Sequence, residues 1–194
     1  RVTVEHTRPN APRYAHMAIH PYPMHLVSHW QTVDGTQVTI RPTRPEDAQL
    51  EKDFTARLSD QTRYNRFFGT LRDLTPGMLL RFTQFDYDRE MALTAVVQGE
   101  AGKDVEIGVA RYVIDREGTG CEFAIVIADA YQGKGLGRKL MTAIIDSARQ
   151  KKLDRMYGEV LATNVPMLGL MAALGFAIEN NPEDATTKLV SIPL

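Results

Sequence analysis

The chain has 194 residues, 43% of them hydrophobic, 24% charged and 8% aromatic. At roughly 100–200 residues per domain this is one domain, with enough apolar material for a core without staples. Twenty-three Lys and Arg against 24 Asp and Glu leave a formal net charge of −1, which argues against a dedicated binder of nucleic acid or of anionic membranes. The longest mostly apolar stretch, around 167–178, is too short for a bilayer that needs about 20 residues. No charged-then-apolar signal peptide opens the chain. The single cysteine, Cys121, has no internal partner and fits a reducing cytoplasm. The start at Arg1 rather than Met points to a processed product or a piece of something longer.

Residues 1–30 hold all five histidines and four of the ten prolines, Pro9, Pro12, Pro21 and Pro23. Proline fixes φ and removes donors, so this stretch reads as an extended arm or linker ahead of a domain over 31–194. Val38 to Pro42 is a short strand. Pro45-Glu46-Asp47 opens a helix to about Leu58, with proline in its first turn and acids facing the positive end of the helix dipole. Ser59 or Asp60 caps a second helical turn toward Phe67. Thr75-Pro76 starts a third helix, to about Phe85.

The period then changes. Ala92 to Val97 and Val105 to Ile114 are two strands joined by a glycine-containing turn, and Cys121 to Ala128 is a third. A helix from about Leu136 to Gln150 follows, with Leu136, Leu140, Ala143, Ile144 and Ser147 on one face. Met156 to Leu161 is a strand. Asn164 caps a helix that Gly175 ends, and two short strands close the chain. The order predicts a mixed, mostly antiparallel α/β sheet of six or seven strands flanked by helices.

The sharpest chemical signal is Gln132-Gly133-Lys134-Gly135-Leu136-Gly137, between a predicted strand and a predicted helix. Alternate glycines let the backbone approach a ligand, and the helix start adds partial positive charge, so an anion, a phosphate above all, is expected there. Arg138 and Lys139 oppose the dipole at a helix start, and a phosphate partner would account for them. The run is neither a Walker loop, for it lacks Gly-Lys-Ser/Thr, nor the dinucleotide fingerprint, whose glycines are spaced G-x-G-x-x-G.

This loop resembles the Gln/Arg-x-x-Gly-x-Gly pyrophosphate loop of the GNAT superfamily of N-acetyltransferases, and Leu174-Gly175-Phe176 resembles the end of that family's last helix. The resemblance covers about 37–194. Arg41-Pro42-Thr43-Arg44-Pro45-Glu46-Asp47, Phe85 to Ala92 and Glu122-Phe123-Ala124 are similar to the bacterial Pat-like protein lysine acetyltransferases. Arg13-Tyr14-Ala15-His16 and Pro21-Tyr22-Pro23 resemble the linker before that domain. The resemblance implies a GNAT acyl-CoA N-acyltransferase fold and acetyl-CoA as co-substrate. It implies a protein partner presenting a lysine, such as an AMP-forming acyl-CoA synthetase. It also implies fusion, in the whole protein, to an acyl-CoA-synthetase-like region.

It assigns roles residue by residue. The glutamate of Glu-Phe-Ala is the catalytic base, which carries over to Glu122. A lysine with pKa about 10.4 needs such a base near neutral pH, and a carboxylate partly buried on an apolar strand would have its pKa raised toward a useful value. Glu159 on the following strand is the rival or helper. Asp86 and Glu90, by contrast, are read as structural or substrate-facing. The backbone of Ile125, Val126 and Ile127 pairs with the pantetheine arm and polarises the thioester. Gln132, Gly133, Lys134, Gly135, Leu136, Gly137 and Arg138 hold the pyrophosphate. Asn164 contacts the cofactor arm as well as capping its helix. One departure stands out: where many GNAT enzymes carry a tyrosine acid, seven residues beyond this asparagine, the chain has Met171. A thioether cannot donate a proton.

The histidines at 16, 20, 25 and 29 are interrupted by prolines and have no cysteine partners at zinc spacing, so no metal is expected. Trp30, Tyr14 and Tyr22 are expected to anchor the arm. Cys121 precedes Glu122 on an alternating strand and should face the opposite side, away from the chemistry. Two other functions stay open: an acetyltransferase of small amines, which a highly acidic acceptor cleft would favour, and a non-catalytic acetyl-CoA sensor, against which Glu122 counts.

Overall fold

The computed structural model describes residues 21–69 and 74–194. One eight-stranded sheet runs in the order β1-β2-β3-β4-β5-β6-β8-β7. Its strands are β1 (Ser28–Gln31), β2 (Gln37–Pro42), β3 (Glu90–Gln98), β4 (Asp104–Ile114), β5 (Gly120–Ile127), β6 (Arg155–Leu161), β7 (Ala177–Asn180) and β8 (Thr187–Pro193). The helices are α1 (Ala48–Arg57), α2 (Asp60–Phe67), α3 (Pro76–Thr83), α4 (Leu136–Gln150) and α5 (Val165–Ala173). Only β5 and β6 pair in parallel. Their connection passes through α4, since parallel neighbours need a crossover.

The sheet has one strand more than expected, and the extra one is β1. Ser28, His29 and Trp30, in the stretch read as arm, pair with Ile40, Thr39 and Val38. Prolines at 21 and 23 masked this strand, because four residues are too few to show alternation of their own. Tyr14, His16 and His20 lie outside the described residues. Tyr22 does act as an anchor: its hydroxyl donates to the Pro42 carbonyl at 2.7 Å, and its ring meets Tyr87 edge-on. His25 and His29 are exposed, and no cluster of metal-ligating side chains occurs among the described residues.

Helix α4 packs on β3, β4 and β5. It buries Leu136, Leu140, Met141, Ile144, Ile145 and Ala148 against the core, as its 3.6-residue pattern demands. Each such aliphatic side chain contributes about 1.5–3 kcal/mol of transfer free energy. Helices α1 and α2 lie on the opposite face, where Phe54, Leu58 and Val126 form a smaller cluster. The Arg41 to Asp47 stretch is a structural clamp. The Arg41 guanidinium makes a forked ion pair with Asp47 at 2.6 and 2.8 Å, both residues being buried. Asp47 also accepts from the Arg44 amide at 2.7 Å, closing the turn that opens α1. Tyr87, from the Phe85 to Ala92 stretch, donates its hydroxyl to the Thr43 carbonyl.

Candidate active site

The pairing of β5 with β6 stops after three residues, at Glu122 opposite Tyr157. Beyond this point the strands part. The Phe123 ring lies against Gly158, where a Cβ would come within 3.0 Å of it, and from Phe123 to Ile127 the β6-side edge of β5 has no strand partner. Backbone amides and carbonyls along such an edge are free to bind an extended ligand. The gap opens into a cleft of about 1070 Å³ walled by α2, β5, the glycine loop, β6 and α5.

The glycine loop closes one end. Gly133 and Gly135 take φ of +71° and +88°, values open to glycine and strained for other residues. Gly135 caps α4 without any side-chain hydrogen bond, so the first amides of that helix are left for a ligand. Gln132 ties the loop down, its side-chain amide donating to the Ile127 carbonyl at 3.0 Å and to the Thr62 hydroxyl at 3.2 Å. Asp129 accepts from the Ser59 amide and hydroxyl and the Thr62 hydroxyl at 2.6–2.9 Å. Burial alone would raise its pKa, but these bonds outweigh that and hold it below the usual carboxylate range.

Not every loop side chain faces the cleft. Gln132, Gly133, Gly135, Gly137 and Arg138 line it. Leu136 is fully buried in the core, so only its backbone can serve a ligand. Lys134 turns to the β1–β2 hairpin, pairing with Asp34 at 2.8 Å. Trp30 of that hairpin covers Gly135, its ring 3.6 Å from where a Cβ would stand. Arg138 donates to the Ala173 carbonyl at 3.3 Å, at the carboxyl end of α5.

The other end of the cleft holds the carboxylates. Opposed residues on neighbouring strands share a face, so Glu122, Val113 and Glu90 form a row across β5, β4 and β3. Glu122 and Glu159 both line the cleft and both are exposed. The partial burial expected of Glu122 is therefore absent. Glu90 is half-buried, and burial raises its pKa against the pull of Arg111. Cys121 is buried on the opposite face, its thiol pushed up to about 12 by burial, away from the cleft as alternation requires.

Sequence patterning gave no hint of α2 as a wall. Its Thr62, Tyr64, Asn65, Arg66 and the following Phe68 all line the cleft. Arg66 is brought down to about 10 by burial and by Arg111, with Glu51 and Glu122 opposing. The one available signal was a helix of mostly polar residues carrying Tyr64 and Phe67 with no apolar stripe beneath them, none of them buried. On the α5 side, Asn164 and Met167 line the cleft, and the Asn164 side chain accepts from the Met167 amide at 3.2 Å. Met171 is wholly buried in the core.

A splayed parallel pair with a glycine loop at the end of its first strand defines an acyltransferase class, and the comparisons agree. Residues 57–176 match the acetyltransferase (GNAT) family, and the chain belongs to that family. It is 41% identical over 160 residues to acetyltransferase PA5475 of Pseudomonas aeruginosa, covering 81% of this chain and 86% of that protein. It is 32% identical over 148 residues to acetyltransferase Pat of Mycolicibacterium smegmatis, covering 75% of this chain and 43% of Pat. The chain thus spans under half the length of that relative. The GNAT domain of S. lividans PAT superposes with a TM-score of 0.80 at 26% identity, covering 90% of this chain and all of that domain. The protein is an acetyltransferase of GNAT type, a family that uses acetyl-CoA.

Proposed function

We propose that the protein is an acetyl-CoA-dependent protein lysine Nε-acetyltransferase acting in the cytoplasm, where its one thiol stays reduced. The observation that carries this reading is the seam between β5 and β6, with Glu122 at the last paired position. The pyrophosphate of acetyl-CoA lies on the amides of Gly133 to Gly137 beside Arg138. The pantetheine arm pairs with the free edge of Ile125, Val126 and Ile127, and one of those amides holds the thioester oxygen. The acceptor comes from the α2 side of the sheet. Glu122 takes a proton from the lysine ammonium, the neutral amine attacks the thioester carbon, the nitrogen gives up its second proton to water as the C–S bond breaks, and CoA leaves as thiolate, which takes a proton from water to become the thiol. Met171, a thioether buried in the core, cannot supply that proton.

The resemblance of Arg41 to Asp47, Phe85 to Ala92 and Glu122 to Ala124 to the Pat-like protein lysine acetyltransferases supports a protein acceptor, such as an acyl-CoA synthetase, and the 43% of Pat that the match covers fits a whole protein with further regions. A second reading, a small amine carrying a carboxylate, is favoured by Arg66, a guanidinium lining the same half of the cleft as Glu122. Labelled acetyl-CoA offered with lysine-containing peptides and with free amino acids decides between them. The proposal expects acid-stable label on lysine Nζ. Label on α-amines alone overturns it.

A further inference from the structure

The acceptor half of the cleft has a side wall that no catalytic role uses. Helix α2 is pinned at its amino end to the cofactor half, where Thr62 bonds both Gln132 and Asp129. Four residues on, Arg66 and Phe67 share a small cavity with Arg111, Ala124 and Val126. The carboxyl end of α2 therefore lies toward Glu122's half, and Arg66 feels the Glu122 charge.

Tyr64 of α2 and Phe68, the residue that caps its carboxyl end, stand there. Both line the cleft, yet they are 46% and 47% exposed. Phe68 also sits at φ +52°, a left-handed conformation that is uncommon for a bulky side chain. An exposed aromatic pair, one member held in a strained backbone, needs a reason beyond folding.

We infer that Tyr64 and Phe68 form the acceptor wall, receiving the methylene stem of a lysine side chain whose ammonium is directed to Glu122 and Glu159. The chemistry is complementary on both sides: aromatic faces attract an aliphatic stem and a cation, and the strand carboxylates neutralise the charge. This inference deepens the lysine reading and rests on it.

The test uses steady-state kinetics with acetyl-CoA and peptides bearing lysine, ornithine or diaminopropionate at one position. Wild-type kcat/KM should fall at least about tenfold from lysine to diaminopropionate, the scale of losing hydrophobic contact for a few methylenes. Phe68→Gly should raise the peptide KM several-fold while the KM for acetyl-CoA holds. Because glycine suits φ +52°, its melting temperature should stay level or rise, which a merely structural role for Phe68 would not allow. Tyr64→Ala should act like Phe68→Gly, whereas Tyr64→Phe should keep the wild-type KM. Folded variants with an unchanged peptide KM overturn the wall while leaving lysine acetylation intact. A wild-type enzyme that acetylates no lysine peptide overturns the function reading itself.

Discussion

The two halves of the cleft are built from different materials. The half proposed for the cofactor is backbone: glycine φ angles, amides at the start of α4 and the unpaired edge of β5. The half proposed for the acceptor is side chains converging from three elements: Glu122 from β5, Glu159 from β6, and Tyr64, Arg66 and Phe68 from the α2 region. A backbone site is encoded over a few consecutive residues, whereas a convergent side-chain site exists only once the sheet register has placed its members.

The sharpest way to separate the halves is Glu122→Gln. It preserves shape and removes the proposed base, so kcat should fall by about 10²–10⁴ while acetyl-CoA affinity, measured calorimetrically, stays put. Matching losses in both would show that the two halves are not independent.

Gly135→Asp is the converse and should act on the cofactor half alone. A side chain at φ +88° is strained, and its charge lies where the pyrophosphate is placed. Losing charge-assisted hydrogen bonds of about 1.5–3 kcal/mol each should weaken acetyl-CoA binding at least about tenfold. Unchanged affinity in the folded variant would remove the loop from the site.

A third prediction concerns what lies beneath the acceptor half. Glu51 and Glu106 are both buried, and neither Glu106 carboxyl oxygen has a hydrogen-bond partner in the protein. Burial, and the pair's mutual repulsion on Glu106, raise both pKa values above the ordinary 4.5. Above that pH the unfolded chain sheds protons that the folded one keeps, so stability should decline as pH rises from about 5 toward the folded values. Thermal melts across that range should show the slope, and Glu106→Gln should flatten it. A wild-type melting temperature that climbs with pH would mean the pair is held charged, with Arg111 and Arg66 as its counter-ions.

The smallest effect is expected at the hairpin that touches the cofactor loop. Asp34→Asn removes an exposed ion pair with Lys134. Such pairs contribute little, so acetyl-CoA affinity should change by less than about twofold. A larger change would make Asp34 part of the cofactor half in function as well as in contact.

Local signals in the sequence account for much of this protein. Helix α4 was legible to the residue because its apolar spacing and glycine start agree, and Asn164 and Thr75 cap their helices as their side-chain chemistry requires. The turn of the glycine loop was legible because alternate glycines mark left-handed backbone, which Gly133 and Gly135 adopt. Four things needed the tertiary structure. Strand β1 exists because β2 offers it an edge. Lys134 faces Asp34, not the cleft, because a hairpin 100 residues earlier packs beside the loop. The cleft beside Glu122 opens because β6 diverges one residue later. The α2 wall faces Glu122 because Gln132 and Asp129 fasten its first turn to the far end of β5. Each of these depends on which element lies beside which, and such placement is set by burial summed over the whole core, which short sequence windows do not record.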